Sequence, residues 1–495
     1  VFPILTFFLL YLFIRALTEN RLYALASALW LMFYAGIILY IPPFNLVELK
    51  VLILKFFPFL VDKVPMSPKY LLREAFIPGA PFFLLAFYFV YKAVSAEARQ
   101  KLYLALAGIF YGLLFYLYFF FWVFTSVFLG IFFFALLVKR KTSEASVIFI
   151  AGVIGLIVSI PFWINYVNLA QLPQYQEIIN RTVGVEVGHA FRWELWMDYL
   201  SYVGIAALSL WLGKKLGKPV KALFLAALAL AGIAVLNVQV VSGFNVQSDH
   251  WFSRIFIITH SIIWASVAYD LFLYFKPPLT LWIDKYRRAL KILLCIIVLY
   301  FSASVLYNQI IIERRAVDNY MVPNSLMDSY KWLNENTPND SVVMAPALET
   351  NMEIPVYTHN RIFLARAHNS LAPDEEILDR LYVTYKLFGI PTAKLDEMIQ
   401  TFEGVFHFFT VKYFSRELDA YMGGKHAGYA LPREVREKVL NEYTFFRLPA
   451  EIPYRFDYIF IGPYERKLGV SLVSFESYKQ VYERGGVTIY KASKS

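Results

Sequence analysis

The stretch GIFYGLLFYLYFFFWVFTSVFLGIFFF, Gly108–Phe134, decides the fold of this 495-residue chain. It contains no charged residue and is dominated by Phe, which is the composition of segments that cross a lipid bilayer. Gly108, Gly112 and Gly130 are small residues of the kind that let membrane helices approach closely. We therefore expect two packed transmembrane helices here, with Trp122 in an interfacial aromatic belt. Three tyrosines either line a cavity or belong to this aromatic packing: Tyr111, Tyr116 and Tyr118.

The composition of the whole chain agrees with that stretch. Hydrophobic residues make up 59% of the sequence, charged residues 17%, and the mean hydropathy is +0.52. A soluble domain has too little interior to bury so much apolar surface, so the composition predicts a polytopic α-helical membrane protein in the lipid bilayer. The single cysteine, Cys295, lies in an apolar segment and excludes a disulfide within the chain.

Apolar segments of spanning or nearly spanning length predict about ten transmembrane helices. They lie at about 1–14, 22–42, 81–95, 102–120, 122–138, 146–168, 199–213, 219–236, 255–275 and 289–312. The sequence thus divides into a transmembrane domain over 1–312 and a soluble domain over 313–495. Val1 begins inside an apolar run with no Met and no basic region before it, so we expect an N-terminally incomplete chain.

The charge distribution predicts the orientation of these helices. Before Glu313 there are 25 Lys and Arg residues against 13 Asp and Glu, whereas from Glu313 onward there are 22 against 24. The basic excess therefore belongs to the membrane part, where lipid headgroups and topology account for it and no nucleic-acid partner is needed. With ten spans, five basic connections fall on one side: those with Arg15, Lys92, Lys139, Lys214 and Lys276.

The positive-inside bias makes that side cytoplasmic. The opposite side then carries the long connections 43–80, 169–198 and 237–254, together with the soluble domain. We expect a plasma-membrane location with the C-terminal domain outside the cytoplasm. The connection 43–80 is half apolar and is either an amphipathic helix in the membrane interface or a plain connection.

The connection 237–254 is the first candidate for a functional site. It carries more hydrogen-bonding side chains than a turn between two membrane helices requires. The candidate residues are Asn237, Gln239, Asp249, His250 and Arg254. We interpret them as the mouth of a site that binds a polar group at the membrane surface, or as a solvated loop that caps the next helix.

The connection 169–198 supplies the remaining candidates, Glu186, His189 and Arg192. Glu186 and His189 are three residues apart and His250 is available elsewhere, so a divalent metal is conceivable, although a solvated loop at the edge of a cavity is the favoured interpretation. Within the spans, Asp270 is an ionisable group and a candidate for function, for pairing or for snorkelling to the interface.

The soluble region has the pattern of a small α/β domain. Helices are predicted at DSYKWLNEN (328–336), near 374–388 after Pro373, and at about 432–441. Strands are predicted at SVVMA, IPVYT, RIFLA, DYIFIG and GVTIYKA. The domain has no Gly-rich phosphate loop and no nucleophile signature, so a structural or partner-binding role is favoured.

Three features together resemble the GT-C superfamily of polytopic glycosyltransferases, which use polyprenyl-phosphate-linked sugars. They are GIFYGLLFYLYFFFW (Gly108–Trp122), the NVQVVSGF…DHWFSR loop, and the C-terminal pairing of DYIFIGPYERKLG with VYERGGVTIY. The last pairing is similar to the ends of uncharacterised prokaryotic membrane proteins of GT-C-like architecture. The many spans and the long polar connections on one side add to the resemblance.

The resemblance implies glycosyl transfer at the membrane–water boundary from a polyprenyl-phosphate-linked sugar donor. His250 and Arg254 would bind the departing phosphate, since cations stabilise the charge that develops there. The catalytic acidic residue of such enzymes lies in the first outer loop, which we expect upstream of Val1, so no residue of this sequence takes that role.

Two other functions compete with glycosyl transfer. A transporter or flippase of a polar or lipid-linked solute predicts broken helices and ionisable groups at the bilayer midplane. A non-catalytic membrane anchor for the C-terminal domain predicts nothing special in the connection 237–254. That connection therefore distinguishes the hypotheses.

Overall fold

The computed structural model describes residues 2–38, 79–95, 99–182, 185–246, 250–286, 321–413, 430–470 and 478–492, with single or paired positions between 288 and 314. The chain forms two compact units. Unit 1 comprises Val1–Asn168 and Glu186–Asn319, and unit 2 comprises Leu169–Val185 and Tyr320–Ser495. The apolar part of the connection 43–80, which the sequence predicts to be either an interfacial helix or a plain connection, lies outside the described residues.

Unit 1 is a helical bundle. Its described helices are α1 (Phe2–Thr18), α2 (Arg21–Ile38), α3 (Gly79–Ser95), α4 (Gln100–Leu113), α5 (Phe119–Val138), α6 (Thr142–Val158), α7 (Ile160–Ala170), α9 (Trp196–Leu216), α10 (Pro219–Leu236), α11 (Gln239–Ser242) and α12 (Ile257–Lys285). A 3₁₀ turn over Leu114–Tyr116 separates α4 from α5, and a π-helical segment over Trp251–Phe256 leads into α12. The helix α8 (Tyr175–Thr182) lies between α7 and α9 in sequence and belongs to unit 2. Two short strands, β1 (Val185–Val187) and β2 (Phe244–Val246), pair with each other.

Four helices of the described chain are long and apolar enough to cross a membrane. They are Phe119–Val138, Trp193–Leu216, Pro219–Leu236 and Arg254–Lys276. A fifth span is possible if α6 and α7, which meet at a bend of 51°, are counted together. The chain is thus mostly helical with apolar, span-length helices, as the composition predicts, and the full set of ten spans stays a prediction.

The bend between α6 and α7 has a local chemical explanation. Pro161 has no amide proton for an intrahelical hydrogen bond, so the helix cannot continue regularly through this point. The Tyr116 hydroxyl donates to the Val158 carbonyl at 2.8 Å, and Trp163 Nε1 donates to Ser159 Oγ at 3.2 Å. Side chains therefore replace part of the backbone hydrogen bonding at the bend, as a helix break among apolar surroundings requires.

Two of the three glycines in the opening stretch make the expected close helix contacts. A Cβ atom added at Gly108 would lie 2.6 Å from Ile154 Cβ, and one added at Gly112 would lie 2.5 Å from Val158 Cβ, so α4 packs directly on α6. Among the described residues, no atom lies within 4 Å of a Cβ added at Gly130. The expectation of close approach is confirmed for Gly108 and Gly112, and for Gly130 no such contact is found in the described part of the chain.

We expect Gly112→Ala to destabilise unit 1 by about 1–3 kcal/mol, because the new methyl group overlaps the neighbouring helix. Gly130→Ala is the matched control and should be neutral or stabilise by up to about 1 kcal/mol through helix propensity. Thermal unfolding of the two variants in one detergent measures the difference. Equal stability would contradict the α4–α6 packing.

A buried ion pair joins α10 to α12. Lys221 Nζ lies 2.7 Å from Asp270 Oδ1, with 3% and 7% of the two side chains exposed. The two residues come from different helices, so the pair fixes their relative position. Of the roles considered for Asp270, pairing is the one observed.

Unit 2 contains a small mixed sheet with surrounding helices. Its elements after α8 are α13 (Asn324–Asn336), β3 (Val342–Met344), α14 (Leu348–Tyr357), β4 (Arg361–Ile362), α15 (Asp374–Leu387), α16 (Thr392–Ile399), α17 (Phe402–Phe408), α18 (Arg433–Phe445), β5 (Tyr458–Ile461), α19 (Pro463–Lys467), β6 (Lys479–Arg484) and β7 (Val487–Lys491). The sheet order is β4-β3-β5-β7-β6. Strands β4, β3 and β5 are parallel, and β7 is antiparallel to both β5 and β6.

Most of the predicted elements of this region are confirmed. The predicted helix near 374–388 is α15, which has Pro373 at its N-cap and three acidic residues in its first turn. The predicted strand IPVYT is wrong, because Ile354–Tyr357 form the last turn of α14. Ile354 is fully buried and faces the sheet core as part of that helix, so local β-propensity is overridden by tertiary packing.

Residues 169–185, predicted as part of a connection of the transmembrane domain, belong to unit 2. Arg181 on α8 is fully buried there. Its guanidinium donates to the carbonyls of Ala367, Ser370 and Ala372, and its NH1 lies 2.8 Å from Asp374 Oδ1. Four acceptors around one planar cation form a specific contact that fixes α8 on the loop before α15.

We expect Arg181→Met to weaken unit 2 by about 3–5 kcal/mol, because it leaves three carbonyls without their donor and removes one of the two cations that pair with Asp374, the other being Lys412. Arg361→Met is the control, since Arg361 and Asp340 form an exposed pair that should contribute at most about 1 kcal/mol. Hydrogen exchange of the amides of α15 in the full-length protein measures the loss. Unchanged protection in the Arg181→Met variant would refute this role of Arg181.

Candidate functional site

The connection after α10 is compact. Residues 239–242 form one helical turn, Gly243 follows with φ 78°, and β2 then pairs with β1. Gly188 N donates to Gly243 O at 2.9 Å and extends this pairing. The positive φ at Gly243 explains the glycine, because other residues adopt this conformation at a cost. The two polar connections therefore fold against each other.

The amides of the connection are engaged within it. Asn237 is buried, donates to the Tyr199 hydroxyl at 2.8 Å and accepts from Arg192 N at 3.0 Å. Gln239 donates to Ala190 O at 3.0 Å and accepts from Asn245 Nδ2 at 3.1 Å. These contacts satisfy buried polar groups, so Asn237 and Gln239 support the fold of the connection.

His189 and Arg192 lie in the same network. His189 Nδ1 is 3.1 Å from Val240 O, and its ring packs 3.2 Å from the position of a Cβ at Gly243. Arg192 is buried, and its Nε donates to Glu194 Oε1 at 2.9 Å. The His189 side chain therefore fastens one connection to the other, whereas the Arg192 side chain bonds Glu194 of its own connection and only the Arg192 backbone bonds Asn237.

His250 and Arg254 are brought together by a third residue, Tyr118. The Tyr118 hydroxyl lies 3.2 Å from His250 Nδ1 and accepts a short hydrogen bond from Arg254 NH1. The guanidinium carbon also lies 5.3 Å from the centroid of the Tyr118 ring. This His250–Tyr118–Arg254 cluster is the part of the prediction that the structure assembles.

The backbone at the cluster is unusual. Arg254 lies in the π-helical segment Trp251–Phe256, and π-helical turns are often found at functional sites. The Phe120 ring packs edge-on against His250 at 5.1 Å and against Trp251 at 4.7 Å. The cluster therefore combines one cation and one imidazole with an aromatic wall at the end of the apolar span Arg254–Lys276.

The metal hypothesis gains no support from the described residues. Among them, no three His, Cys, Asp or Glu side chains converge on one point. His189 contacts a backbone carbonyl and His250 contacts Tyr118. Asp249 and the side chain of Glu186 lie outside the described residues.

Tyr118 and His260 are polar residues whose partners the sequence did not reveal. Tyr118 follows the 3₁₀ turn and precedes α5, and only the fold shows that this turn faces His250. His260 is buried on α12, with Nε2 lying 2.9 Å from the Tyr202 hydroxyl. A histidine or tyrosine within an otherwise apolar segment is the sequence signal that could have pointed to such contacts.

Unit 2 holds one buried carboxyl group with a strongly altered acidity. Glu465 is fully buried shortly after the end of β5, and burial raises its pKa to about 7. Thr350 Oγ1 donates to Oε1 at 2.6 Å, and Gly462 N donates to Oε2 at 2.7 Å. A perturbed carboxyl group can indicate a functional site, but these bonds make Glu465 a structural cap of the loop before α19.

The raised pKa predicts a pH-dependent stability of unit 2. The contribution of Glu465 to the free energy of unfolding is fully present below the ordinary pKa of 4.5 and is lost as pH rises through about 7, its pKa in the folded state. We expect the wild-type protein to lose about 2–4 kcal/mol of the free energy of unfolding of unit 2 between pH 4.5 and 8, and the Glu465→Gln variant to show no such loss. Urea midpoints from pulse proteolysis at three pH values measure it, with Glu483→Gln on the exposed strand β6 as control. A wild-type pH profile in the Glu465→Gln variant would exclude Glu465 as its source.

No protein-family model and no curated protein matches this chain.

Proposed function

We propose that this chain is a GT-C-type membrane glycosyltransferase that takes a sugar from a polyprenyl-phosphate carrier. The His250–Tyr118–Arg254 cluster is its site for the carrier phosphate. The observation that carries the proposal is the convergence of Arg254 and His250 on one tyrosine at the end of an apolar span. The resemblance of Gly108–Trp122 and the connection 237–254 to this superfamily supports the same reaction.

Arg254 is suited to bind a phosphate. Its guanidinium is half-buried, and NH1 is directed to a neutral hydroxyl group. Arg254 forms no salt bridge with any carboxylate among the described residues, and its buried Nε has no hydrogen-bond partner there. A guanidinium held in this way keeps its charge and donors for an anion, and Arg is the preferred residue for phosphate.

The surroundings suit a phosphate that is attached to a lipid. Phe120 and Trp251 are buried beside the cluster, and the segment continues directly into an apolar helix of spanning length. A soluble phosphate compound would not need this apolar wall, whereas a polyprenyl phosphate presents its charge at the boundary of the hydrocarbon. Transfer of the sugar increases the charge on that phosphate, which Arg254 would stabilise.

The two chain segments that together form unit 2 support the predicted topology. Residues 169–185 and 321–492 belong to one compact unit, so both lie on the same side of any membrane that the chain crosses. An even number of crossings must then separate them, and the four spans predicted between them satisfy this. Together with the basic connections on the other side, this supports an extracytoplasmic C-terminal domain at the plasma membrane.

Transport is the second candidate, favoured by buried polar groups within the described spans. His260 contacts Tyr202, and Lys221 contacts Asp270. In both pairs each group is bound to a neighbouring helix, which is also how a bundle satisfies polar groups without a transport role. The anchor hypothesis, in contrast, gives no reason for an arginine and a histidine to meet at Tyr118.

The test is sugar transfer by membranes that contain the full-length protein, with a panel of polyprenyl-phosphate sugars. Arg254→Gln and His250→Gln should each lower transfer by about 10²–10³-fold, the usual effect of removing one donor to a developing oxyanion. Arg21→Gln, an exposed change at the start of α2, is the matched control and should retain full transfer.

The outcomes separate the hypotheses. Transfer by wild-type membranes that both cluster variants retain would exclude the cluster as the phosphate site. No transfer with any donor in the panel would overturn the glycosyltransferase proposal. If solute uptake were then lost in Asp270→Asn and Lys221→Met, the transport hypothesis would replace it.

A further inference from the structure

We propose that Trp251 and Asn245 are positioning residues, which fix the winding of the segment Trp251–Phe256 and thereby hold the Arg254 guanidinium at Tyr118. The basis is a hydrogen bond from Trp251 Nε1 to Asn245 Oδ1 at 3.3 Å, together with the π-helical backbone of that segment. The position of Arg254 is a property of this protein whatever it binds. Only the use of Arg254 on a phosphate rests on the proposed function.

The winding of the segment determines which side chains share a face. A π-helical turn is a rare conformation that occurs mostly as a single turn within an α-helix. Its residues five apart are hydrogen-bonded and lie nearly above one another, whereas in an α-helix they are about 140° apart. Here Trp251 and Phe256, which are five residues apart, are both fully buried. The π-helical winding therefore brings both rings to one side of the segment.

The contacts with α5 show why both rings must lie on that side. The Trp251 ring packs on Phe120 with the centroids 4.7 Å apart, and the Phe256 ring packs on Phe124 at 6.4 Å. Phe120 and Phe124 are four residues apart on α5, so they belong to one face of that helix. Both ends of the segment thus contact the same face of α5, which an angle of about 140° between the two rings would oppose.

The hydrogen bonds around Asn245 can run in one direction only. The Trp251 indole is a donor without an acceptor, so Asn245 must present its oxygen to it. The Asn245 amide nitrogen then donates to Gln239 Oε1 at 3.1 Å, and Gln239 Nε2 donates to the Ala190 carbonyl at 3.0 Å. A donor at one end and a carbonyl acceptor at the other determine the orientation of both amides. This Trp251–Asn245–Gln239 network therefore has a single arrangement.

The network joins the segment to fixed parts of unit 1. Asn245 is fully buried in the middle of β2, which pairs with β1. Gln239, at the start of α11, is buried as well. Trp251 is thus hydrogen-bonded to a strand and packed against a helix, so the first residue of the segment cannot turn without breaking both contacts.

Arg254 depends on this arrangement because it lies within the segment, three residues after Trp251. Its NH1 donates to the Tyr118 hydroxyl, and its guanidinium carbon lies 5.3 Å from the centroid of the Tyr118 ring. Tyr118 immediately precedes α5, the helix that Trp251 and Phe256 contact. If the segment rewound to a regular α-helix, Arg254 would turn relative to Tyr118. The two contacts of Trp251 oppose that rewinding.

The experiment is hydrogen exchange of the Arg254 Nε–H group, followed by NMR of the full-length protein with ¹⁵N-labelled arginine in lipid nanodiscs. The Arg254 signal is assigned by its absence in Arg254→Lys. In the wild type this proton should exchange slowly, because Nε is buried. Trp251→Phe keeps a ring against Phe120 but removes the indole N–H, so the exchange should become about tenfold faster, the equivalent of one typical hydrogen bond. Asn245→Leu, which removes the acceptor, should have the same effect.

Trp163→Phe is the matched control. It removes an indole hydrogen bond of similar length, from Nε1 to Ser159 Oγ at 3.2 Å, at the bend between α6 and α7. This variant should leave the exchange at Arg254 unchanged. An unaltered exchange rate in Trp251→Phe, or an equal acceleration in Trp163→Phe, would overturn the proposal. Trp251→Phe is the more conservative of the two variants, so the decision does not require Asn245→Leu to fold.

The exchange measurement needs no substrate, so it is independent of sugar transfer. If exchange at Arg254 responds as expected while transfer is absent, the positioning role stands and the glycosyltransferase proposal fails. If transfer requires Arg254 but its exchange is the same in Trp251→Phe as in the wild type, the glycosyltransferase proposal stands and the positioning role fails.

Discussion

Hydrocarbon offers no hydrogen-bonding partner, and this constraint governs the polar groups of unit 1. Where α6 bends, the Tyr116 hydroxyl bonds a backbone carbonyl. Where α2 meets α12, the Tyr23 hydroxyl donates to the Ala265 carbonyl at 2.7 Å. The buried lysine of α10 likewise finds a carboxylate on another helix. Each contact satisfies a polar group and at the same time fixes the relative position of two helices.

The same constraint separates two kinds of polar residue in the connection after α10. Asn237 bonds the Tyr199 hydroxyl, and Gln239 bonds both the Ala190 carbonyl and the Asn245 side chain. The polarity of these three amides is therefore needed for the connection to fold. His250 and Arg254 meet instead at a tyrosine from a distant part of the chain. A dense polar sequence thus contains both a structural network and a candidate binding cluster, and contacts distinguish them.

The sequence predicted what depends on composition and local pattern. Apolar runs located helices, and Pro373 with the acidic residues after it located the start of α15. It could not predict partners, because these depend on tertiary packing. Gly108, Gly112 and Gly130 look alike in sequence, yet within the described ranges close contact with another helix is found at the first two and not at Gly130. Likewise, polar character identified His250 and Arg254, whereas Tyr118 required the fold to place its turn beside them.

The position of α8 in unit 2 has a consequence for biosynthesis. Residues 169–185 emerge from the ribosome long before the sheet to which they belong, since β7 ends at Lys491. At ordinary rates of synthesis, roughly 15–60 seconds separate the two segments. In the first part of that interval, until residues 367–374 have been synthesised, Arg181 has none of its later acceptors. Unit 2 can therefore be completed only after the later helices of unit 1 have been synthesised.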